Sequence, residues 1–207
     1  MEERPIEEYC HPLLTVPILQ GKWEFSELVK IVRSHNPVNS LEIGSLYGGT
    51  LWHWISLTWR SVRSVDMLVS PDDPRRKIQD ASRAMWKPWA DAAGVSLEAF
   101  VGDSASPDAV AFMERGAPYD FFFLDGNHTY DGVKADFENC IRLASKGAMI
   151  AMHDVLPAPF WTSIEVWRFW NELVAKGYVT QVLCSRPDQY FGPKRDTWGI
   201  GIVRLGT

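Results

Sequence analysis

An unbroken apolar run, Phe121-Phe122-Phe123-Leu124, gives way abruptly to Asp125-Gly126-Asn127-His128. A second run, Ala148-Met149-Ile150-Ala151-Met152, ends in His153-Asp154. Carboxylates and imidazoles placed this way suit two kinds of chemistry. One is proton transfer, with His128 or His153 as a general base near neutral pH, oriented by Asp125 or Asp154. The other is the binding of one divalent cation by Asp125, His153 and Asp154, provided that the two runs are neighbouring strands, which lie about 5 Å apart. Imidazole in that set favours manganese, iron or zinc over magnesium. A third reading keeps these side chains as a structural hydrogen-bond network.

The second candidate site is the segment Asn39-Ser-Leu-Glu-Ile-Gly-Ser-Leu-Tyr-Gly-Gly-Thr50. It reads as a short strand ending at Glu42-Ile43-Gly44 and a turn carrying Gly48 and Gly49 into a helix. Gly44 permits a backbone close to a ligand, and Gly48 and Gly49 allow positive φ or tight helix packing. A plain strand-to-helix turn would use the same glycines. The spacing G-x-x-x-G-G differs from the G-x-G-x-x-G that receives a dinucleotide pyrophosphate, and a carboxylate at Glu42 would repel a diphosphate. These features favour a cationic ligand.

The elements that must position these residues alternate. Helical periodicity is expected over residues 24–34, 50–60, 74–93, 107–115, 131–144 and 162–176, and strands over 40–43, 62–67, 96–101, 120–124, 148–152, 178–184 and 198–204. Strand-helix repeats of this length imply an α/β fold, a three-layer doubly wound sheet of seven strands that is mostly parallel. The last two strands follow one another without a helix, so the final strand is expected to be antiparallel. In such a sheet the ligand lies beyond the carboxyl ends of the strands. Those ends are polar: Glu42 and Gly44, then Asp66, which lies 24 residues beyond Glu42 and is suited to accept from two ribose hydroxyls, then Gly102-Asp103-Ser104, then Asp125.

With these residues in order, the chain resembles the class I, seven-strand S-adenosylmethionine-dependent methyltransferases, whose first motif has the form E/D-x-G-x-x-x-G. The D-G-x-H-x-Y segment, followed by G-A-x-I and H-D, is similar to a bacterial subgroup that includes small-molecule O-methyltransferases and members labelled cephalosporin hydroxylase-like. The resemblance implies that Glu42, Gly44, Ser45, Gly48, Asp66, Met67, Gly102, Asp103, Ser104 and Asp125 hold S-adenosylmethionine, with Met67 over the adenine and Asp103 and Ser104 at its edge. It implies that Asp125, His128 and His153 serve an acceptor hydroxyl on a small molecule. Asp103 and Ser104 could equally form an Asx turn or cap the helix after Pro107. In metal-dependent catechol-type members the second pair is Asp-Asn or Asp-Asp. Here it is His153-Asp154, which weakens a magnesium assignment. The alternatives are an oxidoreductase or hydroxylase using another adenine cofactor or iron, and a non-catalytic nucleoside-binding module.

The chain has 207 residues and a net charge of -5, enough for one substantial core and unlike a nucleic-acid-binding surface. The expected division is an N-terminal helical extension over 1–38 and a cofactor-binding domain over 39–207. Arg75-Arg76-Lys77 reads as the polar start of a helix. No signal peptide or membrane span is expected, which predicts a cytoplasmic protein. Cys10, Cys140 and Cys184 lack a C-x-x-C pair and suggest reduced thiols. His53 is expected to be a satisfied helix histidine, and most of the ten tryptophans to fill the core or a homo-oligomer contact. Phe160, Trp161, Tyr190, Phe191 and Trp198 could wall an acceptor pocket, with Arg195-Asp196 touching the acceptor.

Overall fold

A computed structural model of the chain describes residues 16–157, 162–184 and 198–206. Seven strands form one sheet in the order β3-β2-β1-β4-β5-β7-β6. They are β1 (Asn39–Ile43), β2 (Ser61–Asp66), β3 (Ser96–Val101), β4 (Tyr119–Leu124), β5 (Ala144–His153), β6 (Val179–Leu183) and β7 (Ile200–Arg204). β1 to β5 pair in parallel, and β7 enters between β5 and β6, antiparallel to both. The expected fold class holds, with the last strand reversed.

Alternation along β4 builds the two cores. Phe122 and Leu124 pack with α4 (Pro107–Glu114), α5 (Tyr130–Leu143) and α6 (Val166–Ala175) on one face. Phe121 and Phe123 pack with α1 (Lys22–His35), α2 (Gly49–Leu57) and α3 (Arg75–Ala93) on the other. Because both faces are covered, β4 needs no polar side and reads as a continuous aromatic run. Trp52, Trp54, Trp86 and Trp170 are core residues, whereas Trp59 is 40% exposed.

Turn chemistry sets where the helices start. The Ser106 hydroxyl accepts from the Ala109 amide ahead of α4, with Pro107 in its first turn, and Thr129 Oγ1 accepts from the Gly132 amide ahead of α5. Ser106, rather than Asp103 or Ser104, is therefore the cap. α6 starts at Val166, later than its apolar pattern suggested, and β5 starts at Ala144, earlier. Arg75 and Arg76 pair with Asp73 and Asp80 at the start of α3, as a polar helix entry should. Among the described residues no helix is long and apolar enough to cross a membrane.

α1 rests on the sheet and on α2. Its Phe25 packs edge-on to Trp54, and its buried Glu24 accepts from the amides of Trp198 and Gly199 just before β7. The strand order reverses between β1 and β4, so the loops after these strands diverge and leave a crevice at their carboxyl ends.

Candidate active site

A cleft of about 570 Å³ opens at that crevice. Of the residues singled out in the sequence, Gly44, Asp66, Met67, Gly102, Asp103, Ser104, Asp125, His128, His153 and Asp154 line it. Trp198 lines it too. Phe160, Trp161, Tyr190, Phe191, Arg195 and Asp196 lie outside the described residues, as do Cys10 and His11.

Two residues of the glycine segment, Glu42 and Gly48, line neither the cleft nor the smaller cavity beside it. Glu42 does not face the cleft. It is fully buried, since side chains alternate along β1 and Glu42 points to the face opposite Leu41 and Ile43, under α2. There it accepts hydrogen bonds from Trp54 Nε1 at 2.9 Å and Ser45 Oγ at 2.5 Å. Burial pushes its pKa up to about 8, against the pull of Ser45, Thr50 and Trp54. A carboxyl neutral at pH 7 repels no anion and attracts no cation, so Glu42 works by holding Ser45, which also bonds Ser64. Ser45 lines a smaller cavity beside the cleft, while Gly48 lines neither.

The glycines make room for protein. Gly44 has φ +89°, and a Cβ there would lie 2.1 Å from the Asp125 carbonyl oxygen. Its missing side chain lets the loop after β4 cross the loop after β1, while Gly44 itself still lines the cleft. A Cβ on Gly48 would meet the Trp86 indole at 2.2 Å.

At the end of β2, Asp66 faces the cleft while its two oxygens accept from the Leu46 amide at 3.2 Å and Gln79 Nε2 at 3.0 Å. Arg83 stands 3.6 Å away. Burial pushes the Asp66 pKa up, opposed by Leu46 and Arg83. With the Ser45 amide also donating to it, the carboxylate keeps acceptor capacity for one ligand hydroxyl, of about four positions in all. At the end of β3, Asp103 forms the Asx turn, accepting from the Ala105 amide at 3.0 Å. Ser104 instead bonds Asp136, a buried carboxyl whose pKa burial lifts to about 6. Met67 is 64% exposed on the cleft wall.

The acid and imidazole residues converge as expected from neighbouring strands, but in a different arrangement. His128 Nδ1 lies 2.6 Å from Asp154 Oδ2, and its ring is 41% exposed. The Asp154 hydrogen bond raises the His128 pKa against the cost of burial. His153 Nδ1 lies 3.3 Å from both Asp125 Oδ1 and Asp154 Oδ1, and its Nε2 is buried without a partner among the described residues. Burial opposes charge on His153, yet the two carboxylates outweigh it and hold the pKa well above the ordinary histidine range. Burial likewise works against the Asp154 charge, and the two histidines overcome it, keeping that carboxyl well below its usual range. Asp154 itself adopts φ +63°, a costly conformation for a non-glycine residue and one found where a side chain must be aimed.

Of the expected cation set of Asp125, His153 and Asp154, the two carboxylates also converge with His128. Ligand atoms of Asp125, His128 and Asp154 lie within 4.8 Å of one another, while His153 Nδ1 stands between the two carboxylates at 3.3 Å from each. A set of two carboxylates and one imidazole fits a divalent cation. His53 also departs from expectation: it is 3% exposed, neither ring nitrogen has a partner among the described residues, and burial pushes its pKa down to about 3. It stacks edge-on to Phe25 and Trp52 and behaves as a core ring.

Sequence reasoning missed Leu19, Gln20 and Ile164 on the cleft wall. Gln20 reaches Asp125, 105 positions away, and no local pattern signals such a contact. Gln79 and Arg83 behind Asp66 carried a signal, since they share one face of α3 at i and i+4.

Solved structures share this fold. An O-methyltransferase from Bacillus cereus in complex with SAH superposes with a TM-score of 0.66 at 18% identity, covering 99% of this chain and 92% of that one. TomG from Streptomyces achromogenes, an O-methyltransferase involved in tomaymycin synthesis and in complex with SAM, gives 0.66 at 16% identity, covering 100% and 92%. SAH-bound methyltransferase PaMTH1 from Podospora anserina gives 0.64 at 18% identity, covering 98% and 87%. No curated protein matches the chain. A family model described as a methyltransferase domain matches residues 41–155, from β1 through the end of β5, and the chain belongs to that family.

Proposed function

We propose that the protein transfers a methyl group from S-adenosylmethionine to a hydroxyl oxygen of a small molecule. The observation that carries this reading is the 2.6 Å contact of His128 Nδ1 with Asp154 Oδ2, at the mouth of the cleft that Asp66 and Gly102–Ser104 line. The residues fit the cofactor: Asp66 keeps acceptor capacity for a ribose hydroxyl, Met67 offers an exposed apolar surface, and Arg75 on the same wall is already paired with Asp73. The fold shared with SAM- and SAH-bound structures supports the same choice.

When bound, the sulfonium supplies an electrophilic methyl group and leaves with its electron pair as a thioether. The chain's part is alignment and proton removal, because a neutral hydroxyl is a poor nucleophile. His128 in its neutral form receives the acceptor O–H proton at Nε2. Asp154 fixes the ring by accepting from Nδ1–H and steadies the imidazolium that results. His153 holds Asp125 and Asp154 in place between the two strand ends.

A second reading rests on the convergence of Asp125, His128 and Asp154. A divalent cation held there would supply Lewis-acid lowering of the acceptor's pKa. The experiment that tests the proposal is transfer of a labelled methyl group from S-adenosylmethionine to a panel of catechols, phenols and sugars, with chelator or with manganese, zinc or magnesium. A methyl ether formed in chelator and lost in His128→Asn supports the base reading, and one formed in metal alone supports the second. Methylation of nitrogen or carbon, or of nothing, contradicts the proposal.

A further inference from the structure

The segment leading into α1 lies outside the stretch that the family model matches, yet it reaches the cleft. Its path is fixed at two points. Gly49 leaves room for it, since a Cβ there would lie 2.6 Å from the Pro17 carbonyl oxygen and 2.7 Å from Ile18. Gln20 Nε2 donates to Asp125 Oδ2 at 2.5 Å. That contact fixes the orientation of the carboxamide, because turning it over would set its oxygen against a carboxylate. The other end, Gln20 Oε1, is then left buried with no hydrogen-bond partner among the described residues. A buried acceptor without a donor is costly, and a ligand's donor is one way to satisfy it.

The sheet order says which part of a nucleoside ligand arrives there. With the adenine at the end of β3 and the ribose at Asp66 on β2, the remaining end of the molecule lies over β1 and β4, where Gly44 and Asp125 are. Gln20 and Asp125 line both the cleft and the small cavity beside Gly44. Among the described residues no lysine, arginine or histidine lines that cavity, and its walls offer a carboxylate and a carboxamide oxygen. An ammonium group brings three donors and a positive charge.

We propose that Gln20 completes the cofactor site from the N-terminal segment, its Oε1 accepting a hydrogen bond from the ammonium of S-adenosylmethionine while its Nε2 holds Asp125. This rests on the function proposed above. The same residue then binds the ligand and positions a second binding residue.

The test is calorimetric and needs no methyl acceptor. S-Adenosylhomocysteine carries the amino-acid end, and 5′-methylthioadenosine keeps the adenine, ribose and thioether but lacks it. In Gln20→Met, S-adenosylhomocysteine binding is expected to weaken about ten- to a hundredfold, the range for one hydrogen bond to a charged group, with 5′-methylthioadenosine binding unchanged. Gln20→Asn, which keeps the polarity and withdraws the oxygen by one methylene, is expected to show the same selective loss and serves if the Met variant folds poorly. Unchanged S-adenosylhomocysteine binding, or equal weakening of both ligands, overturns the role of Gln20. A wild-type protein that binds neither ligand overturns the methyl-transfer reading itself.

Discussion

Replacing Glu42 by Gln tests whether the glycine loop is held by a neutral acid. Glu42 is fully buried, and its pKa moves from 4.5 to about 8 on folding. Between those values the folded protein keeps a proton that the unfolded chain releases, so this group's stabilisation is complete below pH 4.5 and is lost as pH rises to about 8. The interval, at about 1.4 kcal/mol for each pH unit, amounts to roughly 5 kcal/mol. Glutamine copies the neutral form and leaves an acceptor for Trp54 Nε1, so Glu42→Gln should match the wild type at low pH and exceed it increasingly towards pH 8. Urea unfolding of both proteins at several pH values from 5 to 8 measures this. The difference between the two curves is the quantity to read, because His53, with its pKa pushed down to about 3, gives the wild-type curve an opposite slope below its ordinary pKa that cancels in the subtraction. A difference that stays constant with pH would show Glu42 ionised in the folded protein and would refute the positioning role assigned to it.

His53→Leu removes two buried nitrogens that have no partner among the described residues and should raise the free energy of urea unfolding, by about 1 kcal/mol at pH 7 and by more as pH falls below 6, where charging the wild-type ring favours unfolding. Gly44→Ala drives a Cβ into the Asp125 carbonyl and forces a residue with φ +89°, so a loss of about 3 kcal/mol or more in urea unfolding is expected. His128→Asn should lower kcat about 10²- to 10⁴-fold while leaving S-adenosylhomocysteine binding nearly intact, measured with an acceptor found by the panel. In the wild type the rate should rise with pH through a value above that of ordinary histidine, since Asp154 raises the His128 pKa, and Asp154→Asn should move this limb to lower pH.

Much of the fold was legible because the apolar runs and turn residues agree with one another. The aromatic β4 run and the polar residues after each strand located the cleft without coordinates. Less of the site's inner order was legible. Glu42 looked like a ligand because it precedes Gly44 in sequence, but strand alternation turns it under α2, and its partner Trp54 is twelve residues away. His153 and His128 could not be ranked, because the choice depends on Asp154 taking a left-handed backbone conformation that aims its carboxylate at both rings. Gly44 was legible as a glycine beside the cleft, but its part in the crossing of two loops is one that no single-segment pattern encodes. Gln20 carried no signal, since its contact depends on how the leading segment folds over the strand ends.

The central claim is that the crevice between β1 and β4 holds S-adenosylmethionine, with its ribose on Asp66. Calorimetric titration of S-adenosylhomocysteine into metal-free wild-type protein and into Asp66→Ala tests it most directly. Micromolar binding by the wild type, weakened at least about tenfold in the variant, is the predicted result. Absence of binding to the wild type, or equal affinity in both proteins, would contradict it.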